Sequence, residues 1–167
     1  MDVADRIEQA LASAIVRTEG PGAPPGLLTA LHYSIFPGGA RIRPRLCLSV
    51  AQACGDRNPG LADAAAAAIE LLHGASLVHD DLPCFDDAAT RRGKPSVHRK
   101  FGEPLAVLAG DALIVLAFQT VAHGAASIPH LLAPVLLTIA RAVGAPNGIV
   151  AGQAWESEPQ VALAAYQ

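Results

Sequence analysis

An all-α fold follows from three features of this chain. Hydrophobic residues make up 51% of the sequence but aromatic residues only 4%, and alanine dominates the apolar set. Small, unbranched side chains suit closely packed helices better than strands. Prolines stand where helices would open or stop, as Pro59, Pro83, Pro104 and Pro129 do, since proline fits the first turn of a helix and breaks its interior. No segment keeps an apolar–polar alternation long enough for a strand. At 167 residues the chain can bury one real core, and with no internal repeat or linker it reads as a single domain over 1–167.

The elements follow in order. Residues 2–18 form an amphipathic helix, closed by the breaker cluster Glu19-Gly20-Pro21-Gly22-Ala23-Pro24-Pro25. A short helix over 26–35 ends at Pro37-Gly38-Gly39, and another runs from 40 to 54. Asn58 caps a long helix with Pro59 at its first position. That helix runs about six turns to Asp81, where Pro83 stops it. Residues 82–102 read as an ordered polar loop. Pro104 opens the next helix and Ser127/Pro129 another. A final pair is expected near 146–156 and from Pro159 onward. The last has barely two turns before Gln167, so it reads as an interrupted element and the bundle as truncated.

Composition excludes several functional classes. A net charge of −3 argues against a general nucleic-acid surface. Cys47, Cys54 and Cys84 show no CxxC spacing and leave an odd number, so neither a zinc site nor a disulfide framework is supported. That suits a reducing cytoplasm. Asp2, Asp5 and Glu8 are wrong for a signal peptide. The longest apolar stretch, Pro104 to Phe118, is interrupted by Gly110 and Asp111 and is too short to span a bilayer. The expectation is a soluble protein.

The chemistry concentrates at Asp80-Asp81-Leu82-Pro83-Cys84-Phe85-Asp86-Asp87, with Arg91-Arg92-Gly93-Lys94 close behind. Carboxylates this close repel one another unless a cation lies among them. Mg²⁺ is usually held by one or two carboxylates plus substrate phosphates, and guanidinium forks match phosphate. The bland alternative is a solvated acidic helix end. Acid at a helix C-terminus, however, opposes the helix dipole, a local violation that function explains. A continuous helix would not aim Asp80 and Asp86 at one ion, but a turn at Pro83 can bring Asp86 back. Gly38-Gly39-Ala40-Arg41-Ile42-Arg43-Pro44-Arg45 offers a close backbone approach and guanidinium donors, although solvated loop arginines are the commoner pattern. His73 precedes Asp80 by nearly two turns and so faces the same side, as a phosphate donor or as a satisfied core histidine. His98 reads as a loop residue. Gly152-Gln153 with Glu156 and Glu158 reads as a helix surface.

Together these residues resemble the trans-prenyltransferases, the polyprenyl diphosphate synthases. The stretch from Gly38 to Pro44 is similar to that family's GGKRxRP, Asp80 to Asp86 to its first aspartate-rich DDxxxxD motif, and Arg91 to Pro95 to its RRGKP. Leu108-Ala109-Gly110-Asp111-Ala112-Leu113 and Gly152-Gln153 are further landmarks. The likeness is greatest to the geranylgeranyl diphosphate synthases of purple photosynthetic bacteria, through Phe36 to Arg41 and Ala151 to Glu158. The resemblance implies an isoprenoid-synthase-type antiparallel helical bundle, a homodimer, and Mg²⁺ (or Mn²⁺) as cofactor. It implies that isopentenyl diphosphate condenses with an allylic diphosphate (dimethylallyl, geranyl or farnesyl). Mg²⁺ bridges the allylic diphosphate to the aspartates, and the isopentenyl double bond attacks the allylic cation left when diphosphate departs. Loss of a proton gives a chain five carbons longer. By motif position Asp80 and Asp86 are the metal ligands with Asp81 in support. Arg91 holds the allylic diphosphate, and Arg92, Arg43 and His73 hold isopentenyl diphosphate.

Two departures stand out. Ala40 occupies the position of the family's usual lysine, and no Asp follows Asp111, so the family's second aspartate-rich motif is missing. The expectation is therefore an N-terminal part of a synthase, inactive by itself. The alternative is a short non-catalytic homologue that dimerises with a full-length synthase and modulates it. Product length is expected to depend on Ala75 and Ser76, five and four residues before Asp80. These lie about 6–8 Å along the helix. Their small size favours geranylgeranyl over farnesyl diphosphate.

Overall fold

The computed structural model describes residues 2–159. The helix expected from Pro159 lies outside the described residues, apart from Pro159 itself. Two long helices organise the rest: α4 (Pro59–Asp80) and α6 (Glu103–Gly124), each of 22 residues. They run antiparallel. A β-carbon on Gly124 would overlap the Ala64 Cβ near the start of α4, and one on Gly110 would overlap Nε2 of His79 near its end. The alanines that set the composition explain the fit: Ala64, Ala66, Ala67, Ala68 and Ala75 of α4 and Ala106, Ala109 and Ala117 of α6 are all buried, and small side chains let two helix backbones approach closely.

Three earlier helices pack around α4: α1 (Val3–Val16), α2 (Pro25–Ile35) and α3 (Ile42–Ala53). Asp2 caps α1 by accepting from the Asp5 amide at 3.0 Å, and Ile7 and Leu11 are fully buried. Arg6 ties α1 to the start of α4 through Asp63 at 2.7 Å and Asp56 at 2.8 Å. Ile35 of α2 leans on Gly74, where a β-carbon would meet its Cδ1 at 2.6 Å. The expected Asn58 side-chain cap is not made: the amides of Leu61 and Ala62 bond its main-chain carbonyl instead, and its side chain makes no cap bond.

The segment expected as a loop is structured. β1 (Thr90–Arg91) and β2 (Lys94–Pro95) pair antiparallel, Arg91 opposite Lys94, and α5 (Val97–Phe101) follows. The turn uses Arg92 (φ 53°) and Gly93 (φ 74°). Positive φ at both central residues marks the two-residue hairpin turn whose twist suits antiparallel strands. Strands of two residues carry no periodicity to read, so nothing in the residue pattern marks them.

The chain divides into two compact units, residues 1–127 and 128–167. In the second, a 3₁₀ turn (Pro129–Leu131) leads into α7 (Leu132–Val143), and α8 (Ile149–Trp155) follows. Both α4 and α6 are long and apolar enough to cross a membrane, with peak mean hydropathies of 1.4 and 2.0. The interrupted stretch read as too short is thus part of a longer apolar helix. Those apolar windows are 61% and 44% buried within the protein, respectively. Their mutual packing accounts for much of that apolar character.

Candidate functional site

The site forms where α4 stops. Asp80 is the last residue of the helix and Asp81 its C-cap. A helix end leaves carbonyls without intrahelical partners, and the following turn satisfies two of them. The Asp86 amide bonds the Asp80 carbonyl at 2.9 Å and the Ala88 amide bonds the Asp81 carbonyl at 3.1 Å. The chain therefore doubles back over the helix end, carrying Asp86 to Asp80. Asp86 is exposed and Asp80 half-buried.

Asp81 differs from both. It is only 2% exposed, and Arg91 grips it: Nε donates to Oδ1 at 3.0 Å and to Oδ2 at 3.3 Å, and Nη2 donates to Oδ1 at 2.5 Å. The bond to Asp81 raises the Arg91 pKa above its ordinary value, and the nearby charges of Asp80 and Asp86 add to the effect against the opposing cost of burial. Three of the four acids thus act on one guanidinium. The expected supporting metal ligand has its carboxylate occupied by an arginine, and it fixes β1 to the end of α4.

Cations share a cavity with Asp81. A cavity of about 120 Å³ is lined by Gly38, Gly74, Asp81, Arg91, Arg92 and Lys94, among others. The Arg92 guanidinium packs over Gly39, where a β-carbon would come within 3.1 Å of it. His73 is half-buried. Burial first, and then the charges of Arg43, Arg92 and Arg91, push its pKa below the ordinary histidine value, while Glu70 opposes them. The four basic residues singled out for diphosphate binding therefore fall within reach of one another. Arg91 is paired with Asp81, whereas among the described residues Arg43 and Arg92 make no ion pair, and unpaired like charges favour an anion between them.

Arg41 is a residue whose part the sequence did not reveal. It belongs to the same arginine cluster but is 7% exposed and fully used. It donates to Glu8 at 2.8 Å, to Glu70 at 2.9 Å and to the Ile35 carbonyl at 3.0 Å. It has a left-handed φ of 51°, and its guanidinium lies where a β-carbon on Gly38 would be. Glycine at 38 is thus a steric requirement of this buried strut. Arg43 and Arg45 stay exposed. Glu70, a buried acid amid alanines, was the one available hint of a buried cation.

The remaining candidates divide. Ser76 is half-buried and donates to the His73 carbonyl at 2.9 Å, whereas Ala75 is 1% exposed within the packed core. His79 lies against α6, its Nε2 3.2 Å from the Val107 carbonyl and 3.8 Å from Asp111. His98 is buried on α5, bonded to Ser96 at 3.1 Å. Gln153 bonds Glu156 at 3.1 Å on an exposed surface. Among the described residues no three side chains of metal-binding type gather into a cage.

The chain as a whole matches a known family. A family model for polyprenyl synthetase matches residues 24–166. The chain belongs to the polyprenyl synthetase family. It is 60% identical over 161 residues to a geranylgeranyl diphosphate synthase of Cereibacter sphaeroides, covering 96% of this chain and 56% of that protein. With a geranylgeranyl diphosphate synthase of Rhodobacter capsulatus it shares 53% identity over 166 residues, covering 99% of this chain and 57% of that protein. Among solved structures, a geranyltransferase from Legionella pneumophila superposes with a TM-score of 0.85 at 34% identity, covering 98% of this chain and 57% of that one. This polyprenyl synthetase chain therefore spans just over half the length of these relatives. Its all-α fold agrees with theirs.

Proposed function

We propose that residues 1–167 are the N-terminal part of a single synthase domain, the part that handles diphosphate in a trans-prenyltransferase. The reaction is condensation of isopentenyl diphosphate with an allylic diphosphate (dimethylallyl, geranyl or farnesyl) to give geranylgeranyl diphosphate, with farnesyl diphosphate as a shorter product. The observation that carries this is a carboxylate-bearing helix end, with Asp86 folded back on Asp80, beside a cavity lined by Asp81, Arg91, Arg92 and Lys94.

Asp80 and Asp86 offer hard oxygen donors that fit Mg²⁺ or Mn²⁺ shared with a diphosphate, which needs few protein ligands. When bound, the metal supplies positive charge that stabilises the departing diphosphate. Arg91 spends Nε and Nη2 on Asp81, which leaves Nη1 to donate to the allylic diphosphate. Arg92, Arg43 and His73 hold the diphosphate of the second substrate. Such fixed donors stabilise developing charge without reorganising when the bond breaks. The allylic C–O bond then breaks with its electron pair going to the diphosphate, the isopentenyl double bond attacks the allylic carbon, and a proton leaves the product. Product length depends on Ala75 and Ser76, whose small side chains favour geranylgeranyl over farnesyl diphosphate. A second copy of the chain is the partner that fits the exposed apolar residues Leu108 and Val115 of α6, and a cytoplasmic setting fits the free cysteines.

The test is product formation. A protein carrying this sequence at the length of its relatives, given Mg²⁺, an allylic diphosphate and labelled isopentenyl diphosphate, should extend the chain. Asp80→Ala should abolish extension, and the 167-residue chain alone should give none. Undiminished extension by Asp80→Ala would refute the proposal.

A further inference from the structure

The cavity holds two cations that the acids leave free. Asp81 is the acid lining it, and Arg91 occupies that carboxylate on both oxygens. Arg92 and Lys94 line the same space, and among the described residues neither makes an ion pair. Lys94 is half-buried and its ammonium lies 5.4 Å from the centre of the Tyr33 ring. A lysine drawn over an aromatic face is held in place while its three N–H donors stay available. Tyr33 is itself fixed. Its hydroxyl donates to the Pro95 carbonyl at 2.8 Å, tying α2 to β2, and its ring meets Phe101 edge-on at 5.3 Å. The residue next to Arg41 in the glycine-rich segment, Ala40, contributes no charge to this region.

We infer that Lys94 is a further diphosphate-contacting residue of this cavity and that Tyr33 is the positioning residue that presents it. The inference rests on the diphosphate reading above. It assigns to Lys94 the role of a cation beside Arg92, supplied from the ribbon and steadied by a ring on α2. Lys100 gives an internal comparison. Its ammonium lies 3.8 Å from the same ring, yet it lines only the wider groove outside and not this cavity. The two lysines share charge and ring but differ in access.

Calorimetric titration of the 167-residue chain with inorganic diphosphate, in chelator and at low salt, separates the possibilities. Lys94→Ala should weaken binding about tenfold, the loss of one charge-assisted contact, and Lys100→Ala less than about twofold by screened charge alone. Tyr33→Leu should weaken binding, Tyr33→Phe should restore it, and Tyr33→Leu combined with Lys94→Ala should be no weaker than Lys94→Ala alone. Equal losses for the two lysines, or none for Lys94→Ala while Arg92→Ala weakens binding, would overturn the inference and leave the diphosphate site standing. Failure of the unaltered chain to bind, or indifference to Arg92→Ala, would overturn the diphosphate reading and this inference with it. Lys94→Gln provides a second neutral variant should Lys94→Ala not fold.

Discussion

Arg91→Ala should cost more stability than Asp81→Asn, although each breaks the same pair. The asymmetry comes from exposure: the Asp81 side chain is 2% exposed and the Arg91 side chain 37%. Every described hydrogen bond to the Asp81 carboxylate comes from Arg91. Removing the arginine strands a buried charge. Breaking a fully buried pair costs about 3–5 kcal/mol, and because water enters where Arg91 leaves, the expected loss is at the lower end, about 3 kcal/mol. Asp81→Asn strands a guanidinium that already reaches water, and the amide oxygen still accepts one bond. The expected loss there is about 1.5–2 kcal/mol, the lower part of the range for a hydrogen bond to a charged group. The double variant should cost less than the two singles together by about 1 kcal/mol or more, since the residues touch. Urea unfolding of the four proteins measures this directly, with equal slopes as the check that the unfolded states match. A loss for Arg91→Ala no larger than for Asp81→Asn, or additive losses, would refute the assignment of Asp81 as the buried anchor of the ribbon.

Other outcomes follow from the same geometry. Folding holds the His73 pKa below its ordinary 6.5, through burial first and then Arg43, Arg92 and Arg91 against Glu70. The folded protein then binds fewer protons than the unfolded one, so this contribution is complete above about pH 6.5 and is lost as pH falls through and below it; thermal unfolding should show the unaltered chain losing ground to His73→Gln between about pH 7 and 5.5. Gly124→Ala should destabilise more than Gly110→Ala in chemical unfolding. The first drives a β-carbon against the Ala64 Cβ and the Gly60 carbonyl, whereas the second meets the end of the His79 side chain, which can turn aside; overpacking of about 1–3 kcal/mol is expected for the first. Glu70→Gln should cost about 2 kcal/mol, because Arg41 loses one of its two acids while buried, and Gly38→Ala should fail to rescue it.

The helices were legible because each is written locally. The capped start of α1, the proline-opened starts of α4 and α6 and the stop after Asp81 all lie within a few residues of the signal that sets them. The two-residue ribbon was not legible, since its evidence is a pair of left-handed residues at Arg92-Gly93 and one carboxylate on another element. Members of the candidate site were easy to nominate, because acids and bases crowd into residues 80–94. Their pairing was not. Sequence treats Asp81 as one more acid beside Asp80, while the fold buries it under Arg91. Arg41 and Arg43 look equivalent in the glycine-rich segment, yet Glu8 and Glu70 engage the former from two other helices. Long-range partners decide which charge is structural and which is left for a ligand, and spacing along the chain carries no trace of them.

The most direct measurement is Mn²⁺ uptake followed by electron paramagnetic resonance, with and without inorganic diphosphate. With diphosphate present, the free Mn²⁺ signal should fall on adding the unaltered chain and return when Asp80 and Asp86 are replaced by Asn. Uptake that is indifferent to those two carboxylates would contradict a metal–diphosphate site at the end of α4.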